Sequence, residues 1–416
     1  MGWDPASTSY VSTKQSLASA GLDINYFSYY PNNFLITAIG RWFWNFLNLI
    51  GYHKYSDFVI GMGLLNYILV DLSILLLYRS LNSIFNKKIS CLSTFISWIM
   101  MGFSPVNVIP YTDTYAYFIG IVLIFIVAKF LYSNTQKKKV AYTILFGLVV
   151  GIGYYIKPTT FIFSIALGII AALFLAHQKK YKNIVILSLL FMLSFGGTYL
   201  VINQYQRHNS IVKVDYNKTF PMSHFVAMGM KGNGGYSLSD VKKNIEIKDP
   251  EERRKFNNNL IKKELSEKGM EGYISFLVKK QIKNTQNGTF GWGEEGNYLY
   301  QLFKQKGLNQ LQKKQRKIFM FYKGQQVQGA SVNWTGHKLT IQMIWLVVLI
   351  GILFSLRMNS FRIQLFKLSV LGGMLFLLIF EGGRSRYLIQ FLPFLFVLSG
   401  AGMNNLFTAL FDKYSE

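Results

Sequence analysis

Long apolar runs separated by short polar segments dominate this sequence. Most of the runs are about 17–25 residues long, the length with which an α-helix crosses a hydrocarbon core about 30 Å thick. The pattern therefore predicts an all-α polytopic membrane protein. The nine apolar runs are 57–78, 90–104, 115–132, 140–156, 159–176, 183–203, 339–356, 364–380 and 387–409.

Composition supports the membrane assignment and excludes other classes. Of the 416 residues, 51% are hydrophobic and only 15% are charged, which is too few charges for a soluble enzyme with buried helices. The single cysteine, Cys91, lies in an apolar run, so neither a disulfide framework nor a CxxC metal site is expected. The net charge of +25 favours phosphates and anionic lipids or polymers as partners. Because the basic residues form no single helical stripe, we expect no nucleic-acid partner.

The segment 32–52 decides the predicted topology. It is apolar but interrupted by polar residues, among them Asn32, Asn33 and Arg41. If it does not cross the membrane, the basic clusters of the short loops all fall on one side, which is then cytoplasmic. We therefore predict an interfacial helix here, starting at Pro31. The clusters are Arg79 with Lys87 and Lys88, Lys137 to Lys139, Lys179, Lys180 and Lys182, and Arg357 with Arg362.

This topology divides the chain into four regions. Residues 1–55 form an extracellular first loop with interfacial helices, and residues 56–203 form about six transmembrane helices. Residues 204–338 form a mainly helical extracellular domain, in which Asp249-Pro250 opens a helix. Residues 339–416 form about three transmembrane helices and a cytoplasmic C-terminus. Because the chain would start outside, we expect that a first transmembrane helix precedes this sequence.

The topology follows from the basic clusters of the short loops alone. The other polar clusters all fall on the outer face. Two of them carry carboxylates, Asp4 before Pro5 and Asp113 in Tyr111-Thr112-Asp113-Thr114. Each is also typical of a helix N-cap, which is the simpler interpretation. Two carboxylates on one face would serve general-base chemistry or a divalent cation.

Basic residues form a second cluster at the outer ends of the predicted spans. Lys157 precedes Pro158, and Arg384 and Arg386 follow Glu381. Lys157 is also consistent with a snorkelling lysine, and the arginines with a buried salt bridge to the acid. The functional alternative is a phosphate clamp of Lys157, Arg384 and Arg386, because guanidinium forks match phosphate oxygens.

Motifs of other enzyme classes do not occur. The sequence contains no HExxH, GxSxG, Walker or Rossmann fingerprint, which leaves metalloprotease, hydrolase and nucleotide-driven functions without support. His224 is the histidine expected nearest to the outer site, although a lone histidine is more often structural.

Taken in order, these segments resemble bacterial integral-membrane glycosyltransferases of the GT-C fold, the group that includes protein mannosyltransferase-like and aminoarabinose-transferase-like enzymes. Phe220 to His224 and Gly234-Gly235-Tyr236 resemble a Gram-positive subgroup that glycosylates cell-surface polymers. The other segments that carry the resemblance are Trp3-Asp4-Pro5, Tyr30-Pro31-Asn32-Asn33, Tyr111 to Thr114, Lys157-Pro158-Thr159 and Arg384 to Leu388.

The resemblance implies a GT-C-like helical bundle in the bacterial plasma membrane with its active site outside. Such enzymes transfer a sugar, with inversion, from a polyprenyl-phosphate carrier to a hydroxyl, here of a cell-surface polysaccharide or teichoic acid. It implies Asp4 as general base and Asp113 as the second acid, and it leaves open a divalent metal ion at these two residues. Substrate contacts are expected from Tyr30, Asn32, Asn33, His224 and Tyr387, and stacking on sugars from Trp3, Tyr111 and Trp292.

Three other functions remain open from the residues. A lipid-linked sugar flippase or transporter would place ionisable residues deep in its spans, and Asp71 is the one conspicuous acid of that kind. An oligosaccharide polymerase or ligase would use the same class of carrier from the same side. A non-catalytic scaffold would make the convergence of the polar clusters a coincidence.

Overall fold

The computed structural model describes residues 4–291, 307, 309–311, 313–314, 336–380 and 382–411, and in these ranges the regular structure is entirely helical. The α-helices of these ranges are α1 (Asp4–Ser12), α2 (Tyr26–Tyr29), α3 (Phe34–Leu49), α4 (Tyr55–Ile84), α5 (Lys87–Ser97), α6 (Thr112–Leu131), α7 (Gln136–Ile156), α8 (Phe161–His177), α9 (Tyr181–His208), α10 (Met222–Gly229), α11 (Leu238–Glu246), α12 (Pro250–Thr285), α13 (Gly336–Ser355), α14 (Phe361–Ile379) and α15 (Leu392–Phe411).

Eight helical segments of the described ranges are long and apolar enough to cross a membrane. Five of them precede the polar segment and three follow it, so the prediction of a polytopic all-α architecture is confirmed. The segments are Tyr55–Ile84, Thr112–Leu131, Gln136–Ile156, Pro158–His177, Tyr181–His208, Lys338–Ser355, Phe361–Ile379 and Ser385–Leu410.

The apolar run 90–104 differs from the prediction of a ninth span. It folds as α5 followed by one π-helical turn, Trp98–Gly102. Together they rise only about 24 Å, because 16 residues advance 1.5 Å each. The turn Pro105–Val108 then continues the path. The carbonyl oxygens of Asn107 in this turn and of Ile109 just after it accept hydrogen bonds from the Asn66 side chain in α4. The chain thus returns along α4 by a short helix and a loop.

The helices of the bundle alternate between two ends. At one end, which we call the Asp4 end, the chain brings together Asp4, Asp113 and Lys157. At the other end, Arg362 donates a 2.5 Å hydrogen bond to the carbonyl oxygen of Ile84, which joins the start of α14 to the end of α4. We call this the basic end, because lysines and arginines lie there, either in the short connections or in the helix turns next to them. Those connections are 85–86, 132–135, 178–180 and 356–360.

Small residues allow the closest helix contacts. A Cβ atom on Gly151 of α7 would lie 2.7 Å from the side chain of Thr198 in α9, and one on Gly400 of α15 would lie 2.1 Å from the Oγ of Ser93 in α5. Such contacts are typical of membrane bundles, in which helices associate through close packing rather than through water exclusion.

Helix α3 packs against α1 at the Asp4 end and is not among the eight membrane-crossing segments. Its Arg41 donates from Nε to the carbonyl oxygen of Ser12 at 2.8 Å, and the Ser12 hydroxyl donates to the carbonyl oxygen of Thr37 at 3.0 Å. These bonds fix α1 against α3 and so orient the segment that carries Asp4.

Helices α10, α11 and α12 form the part of the polar segment beyond the Asp4 end. As predicted, Asp249 caps α12, with its side chain accepting from the Glu252 amide at 2.7 Å. The helix breaks at Gly269, whose φ of 59° is positive. The guanidinium of buried Arg253 binds carbonyl oxygens of several loop residues, including Asn217 and Thr219.

Lys280 attaches this outer part to the bundle. Its side chain is 1% exposed, and its ammonium donates to the carbonyl oxygens of Gly229, Leu378 and Phe380 at 2.6, 3.0 and 2.6 Å. The backbone of Gly382 also donates to Gly234 at 2.7 Å. Hydrogen bonds from the outer part of the chain therefore hold the loop between α14 and α15 in place at the Asp4 end.

Replacing Lys280 by Met is expected to destabilise the protein, because the apolar chain would leave three buried carbonyl oxygens without a donor. Each unsatisfied group costs about 1–3 kcal/mol, so the melting temperature in detergent should fall by about 5 °C or more. Lys279→Met is the matched control, since Lys279 is the exposed neighbour and its loss should leave the melting temperature unchanged. Equal melting temperatures for the two variants would contradict the structural role of Lys280.

Candidate functional site

Asp4 is the centre of the polar cluster at the Asp4 end. It begins α1 and is half-buried. Both carboxylate oxygens accept hydrogen bonds from phenols: Oδ1 from the Tyr26 hydroxyl at 2.8 Å and Oδ2 from the Tyr111 hydroxyl at 2.9 Å. A carboxylate oxygen has two lone pairs, so each can still accept a further bond from a substrate.

Asn33 closes these three side chains into a ring. Its Nδ2 donates to the Tyr26 hydroxyl oxygen at 2.6 Å, and its Oδ1 lies 3.0 Å from the Tyr111 hydroxyl. We call Asp4, Tyr26, Asn33 and Tyr111 the Asp4 ring. Within the ring, the one hydroxyl hydrogen of Tyr111 has both Asp4 and Asn33 within reach as acceptors, whereas the hydrogen of Tyr26 has Asp4 alone.

The phenols of the Asp4 ring are hydrogen-bond donors at any physiological pH. Burial raises the pKa of Tyr26 well above its ordinary value, and the nearby Asp4 carboxylate raises it further. Burial and Asp4 likewise raise the pKa of Tyr111, against a smaller opposing effect of Arg386. Both hydroxyls therefore stay protonated and face the carboxylate with their hydrogens.

Asp113 is engaged by two cations. It lies buried at the start of α6, where its Oδ1 accepts from the Lys157 ammonium at 2.6 Å and its Oδ2 from the Arg386 Nε at 2.8 Å. We call these three residues the Asp113 triad. Lys157 follows the end of α7, and Arg386 lies in the 3-10 helix Ser385–Phe391. Three separate parts of the chain thus meet at one carboxylate.

The ring and the triad are in contact through aromatic faces. The Arg386 guanidinium lies over the Tyr111 ring at 5.3 Å, and the Lys157 ammonium lies over the Tyr387 ring at 5.9 Å. The Lys157 side chain remains 17% exposed, and an ammonium has three donors. A phosphate approaching the triad could therefore bind Lys157 while its bond to Asp113 persists.

The charges of the triad do not suit a divalent metal ion shared by Asp4 and Asp113. Both oxygens of Asp113 already face a positive group within 3 Å, so a metal ion there would be repelled by Lys157 and Arg386. Nor do the described residues contain a group of three or more His, Cys, Asp or Glu side chains arranged to hold a metal ion.

The structure brings together some of the predicted site residues and separates others. Asn33 and Tyr387 join Asp4, Asp113, Lys157 and Arg386, as described above. Arg384 lies next to the outer part of the chain, where a Cβ on Gly235 would lie 3.5 Å from its Nε, and its contact with a phosphate stays a prediction. Asn32 is exposed, and Tyr30 packs against Tyr26 with ring centroids 5.4 Å apart. The predicted aromatics Trp3 and Trp292, and the acid Glu381, lie outside the described residues.

His224 is fully buried and separated from the Asp4 ring by an aromatic layer. Its ring lies 4.5 Å from that of Phe220, which in turn contacts Tyr30 at 5.3 Å. Burial lowers the pKa of His224 to about 4, although Asp240 and Asn257 beside it act in the opposite direction. The imidazole is therefore neutral at pH 7 and supports the outer helices from within.

Sequence reasoning missed the role of Tyr26. The residue was visible as one of several aromatics in an otherwise polar segment, but that pattern is equally typical of interfacial packing. It also missed the hydrogen bond from Thr159 to Gln390, which links the Lys157 turn to the segment of Arg386.

The fold and the membrane-crossing helices define a multi-pass, all-α membrane protein. A family model described as "Conserved hypothetical integral membrane protein" matches residues 1–406, and the chain belongs to this family. No curated protein matches the sequence.

Among solved structures, the chain is similar to the oligosaccharyltransferase of Archaeoglobus fulgidus. The apo form gives a TM-score of 0.47 at 13% identity, covering 99% of this chain and 47% of that one. The complex with an inhibitory peptide and a dolichol-phosphate gives 0.46, with the same identity and coverage. The form tethered to an acceptor peptide gives 0.43 at 13% identity, covering 91% and 41%. The chain thus spans less than half the length of these structures, and a TM-score below 0.5 marks a distant likeness that assigns no activity.

The buried imidazole predicts acid sensitivity. Because the folded-state pKa of His224 lies below the ordinary 6.5, the unfolded chain takes up a proton that the folded chain does not. Stability should therefore fall as pH decreases from about 6.5 towards 4, by about 2–3 kcal/mol. Melting curves of His224→Phe should show a weaker pH dependence than wild type, since phenylalanine suits the aromatic surroundings.

His208→Phe serves as the control, because His208 is exposed and its replacement should leave the pH dependence as in wild type. If His224→Phe and wild type lose the same number of degrees between pH 7 and pH 4.5, the buried neutral imidazole is not the origin of the acid sensitivity.

Proposed function

We propose that this protein is a membrane glycosyltransferase that moves a sugar from a polyprenyl-phosphate carrier to a hydroxyl group, with Asp4 as general base. The observation that carries the proposal is the pairing of a half-buried carboxylate, Asp4, with a neighbouring triad that contains two cations. A base for the acceptor and a positive site for a departing phosphate are the two groups that this reaction requires.

The sidedness of the charges supports an active site on the outer face of a bacterial plasma membrane. The basic connections lie at the end of the bundle opposite Asp4, and cytoplasmic loops of membrane proteins carry an excess of Lys and Arg. The Asp4 end, with α10 to α12, then faces outward. A cell-surface polysaccharide or teichoic acid is the acceptor that we propose, as the resemblance in the sequence implies.

In the proposed reaction, the acceptor hydroxyl oxygen attacks the anomeric carbon from the face opposite the phosphate. The bond between the acceptor oxygen and the anomeric carbon forms as the bond between the anomeric carbon and the phosphate oxygen breaks. The electron pair of the broken bond leaves with the lipid phosphate. The acceptor proton passes to Asp4. Because the attack comes from the face opposite the leaving phosphate, the anomeric configuration inverts. Lys157 stabilises the charge that develops on the phosphate, and Arg386 holds Asp113 in place.

The hydrogen bonds of the Asp4 ring can rearrange to accommodate the proton that Asp4 receives. When Oδ2 is protonated, it can donate to the Tyr111 oxygen while the Tyr111 hydrogen turns to Asn33 Oδ1, 3.0 Å away. All four side chains then keep their hydrogen bonds. Protonation at Oδ1 lacks this compensation, because the Tyr26 oxygen already accepts from Asn33 and its hydrogen has no second acceptor in the ring. We therefore assign the proton to Oδ2.

The first test is transfer by the reconstituted protein, measured with radiolabelled polyprenyl-phosphate sugars and a cell-wall polymer acceptor. Asp4→Asn should reduce the rate by about 10²–10⁴-fold while binding of the lipid carrier persists, because only the base is lost. The exposed Asp23 lies on the same segment, and Asp23→Asn should transfer like wild type.

The result also separates the alternative functions. Wild-type rates for Asp4→Asn would show that Asp4 is only a helix cap and would overturn the base assignment. Labelled lipid that crosses the bilayer without transfer would establish a flippase, and joining of carrier-linked sugars to one another would establish a polymerase.

A second test concerns the proton position. Tyr111→Phe and Tyr26→Phe each remove one phenol from Asp4, but only the former removes the acceptor for a proton on Oδ2. Tyr111→Phe should therefore lower kcat by about tenfold, the value of one good hydrogen bond, with little change in KM for the carrier. Tyr26→Phe should change kcat by less than about threefold. Equal effects of the two variants on kcat would contradict the assignment to Oδ2.

A further inference from the structure

Asp71 lies exposed on a membrane-crossing helix, on the side that is turned away from the bundle. It belongs to α4, whose 30 residues rise about 45 Å. Asp71 is about 24 Å along the helix from Tyr55 and about 20 Å from Ile84, so it lies near the middle of the membrane. The opposite face of α4 is buried in the bundle, with Val70 and Leu77 at most 1% exposed. The carboxylate therefore faces lipid.

A carboxylate in this position is costly, and acids within spans nearly always face a protein partner or a water-filled cavity. Asp71 makes no hydrogen bond or ion pair with any described residue of the chain. Arg79, the basic residue on the same helix face, is about 12 Å away along the helix, too far for contact. The side chain of an aspartate is too short to reach the membrane surface by itself, so a donor on a neighbouring helix would remove this cost.

The surface around Asp71 has the shape and polarity that suit a helix. Exposed apolar side chains extend along α4 on both sides of the acid, at Ile60, Leu64, Ile68 and Leu75. Towards the basic end, this stripe meets a groove of about 520 Å³ between α4 and α5. Asp71 adjoins the groove, because residues three, four and seven positions along a helix share one face. The groove is lined by Ile74, Tyr78, Cys91, Leu92, Thr94, Phe95 and Trp98.

The negative charge of Asp71 indicates which kind of helix would bind to the stripe and groove. A second copy of this chain is poorly suited, because the basic residues in its described spans lie in the first two or last two turns of their helices, far from the level of Asp71. We propose that the stripe and groove receive a transmembrane helix of another protein, which carries a lysine or arginine at mid-membrane depth and pairs with Asp71. This inference is independent of the proposed enzymatic function.

Cys91 provides the readout, since it is the only cysteine, is exposed, and lines the groove. The full chain is reconstituted in vesicles, and the rate of Cys91 alkylation by a membrane-permeant maleimide is measured against increasing peptide. The probes are two synthetic Leu-Ala transmembrane peptides that differ only in one central residue, Lys or Leu. The Lys peptide should slow alkylation, and the Leu peptide should do so only at about tenfold higher concentration.

The variant Asp71→Leu should remove the difference between the two peptides, while Leu72→Ala, an exposed neighbour that keeps the acid, should preserve it. Melting curves check that both variants fold, as expected for changes on the lipid face. Equal protection by both peptides, or an undiminished preference for Lys in Asp71→Leu, would overturn the proposal. So would protection without peptide that disappears when the protein is diluted in lipid, since that result would identify a second copy as the occupant.

Discussion

The ion pairs of Asp113 with Lys157 and Arg386 determine how the Asp4 end is built. The three residues come from the start of α6, the turn after α7 and the segment before α15. In a site with little water, removal of one partner leaves an uncompensated charge, which costs far more than an exposed ion pair contributes. The positions of three spans are therefore linked to a single carboxylate, and the spans can pack by small residues elsewhere because their ends are fixed here.

The Asp4 ring depends on this arrangement indirectly. Tyr111 precedes α6 by one residue, and its ring faces the Arg386 guanidinium, so the phenol that bonds Asp4 is oriented by the triad. The carboxylate of Asp4 remains half-buried while that of Asp113 is covered and neutralised. Two acids at one end of the bundle thus have different environments: Asp4 bonds two phenols and stays partly accessible, whereas Asp113 bonds two cations. This difference is what the geometry adds to a list of polar residues.

Much of the fold follows from the apolar runs, because the length needed to cross a bilayer is a strong constraint on sequence. At 90–104, apolar character alone does not reveal that the helix ends at Gly102 and that the turn Pro105–Val108 completes the path. The polar clusters at span ends located Asp4, Asp113, Lys157 and Arg386. Their pairing could not be predicted, because partners 44 and 273 residues apart are brought together only by tertiary packing. The bonding of Tyr26 to Asp4 was hidden for the same reason.

The attachment of Lys280 has a consequence for how the outer helices can move. The ammonium closes the C-terminal end of α14, where unpaired carbonyls and the helix dipole favour a positive charge, and it also binds Gly229 at the end of α10. Because Gly229 moves with the outer helices, lifting α12 together with α10 would keep that bond and break the two bonds to Leu378 and Phe380. The outer helices can therefore move as one body, and the place where that motion must break bonds is the end of α14.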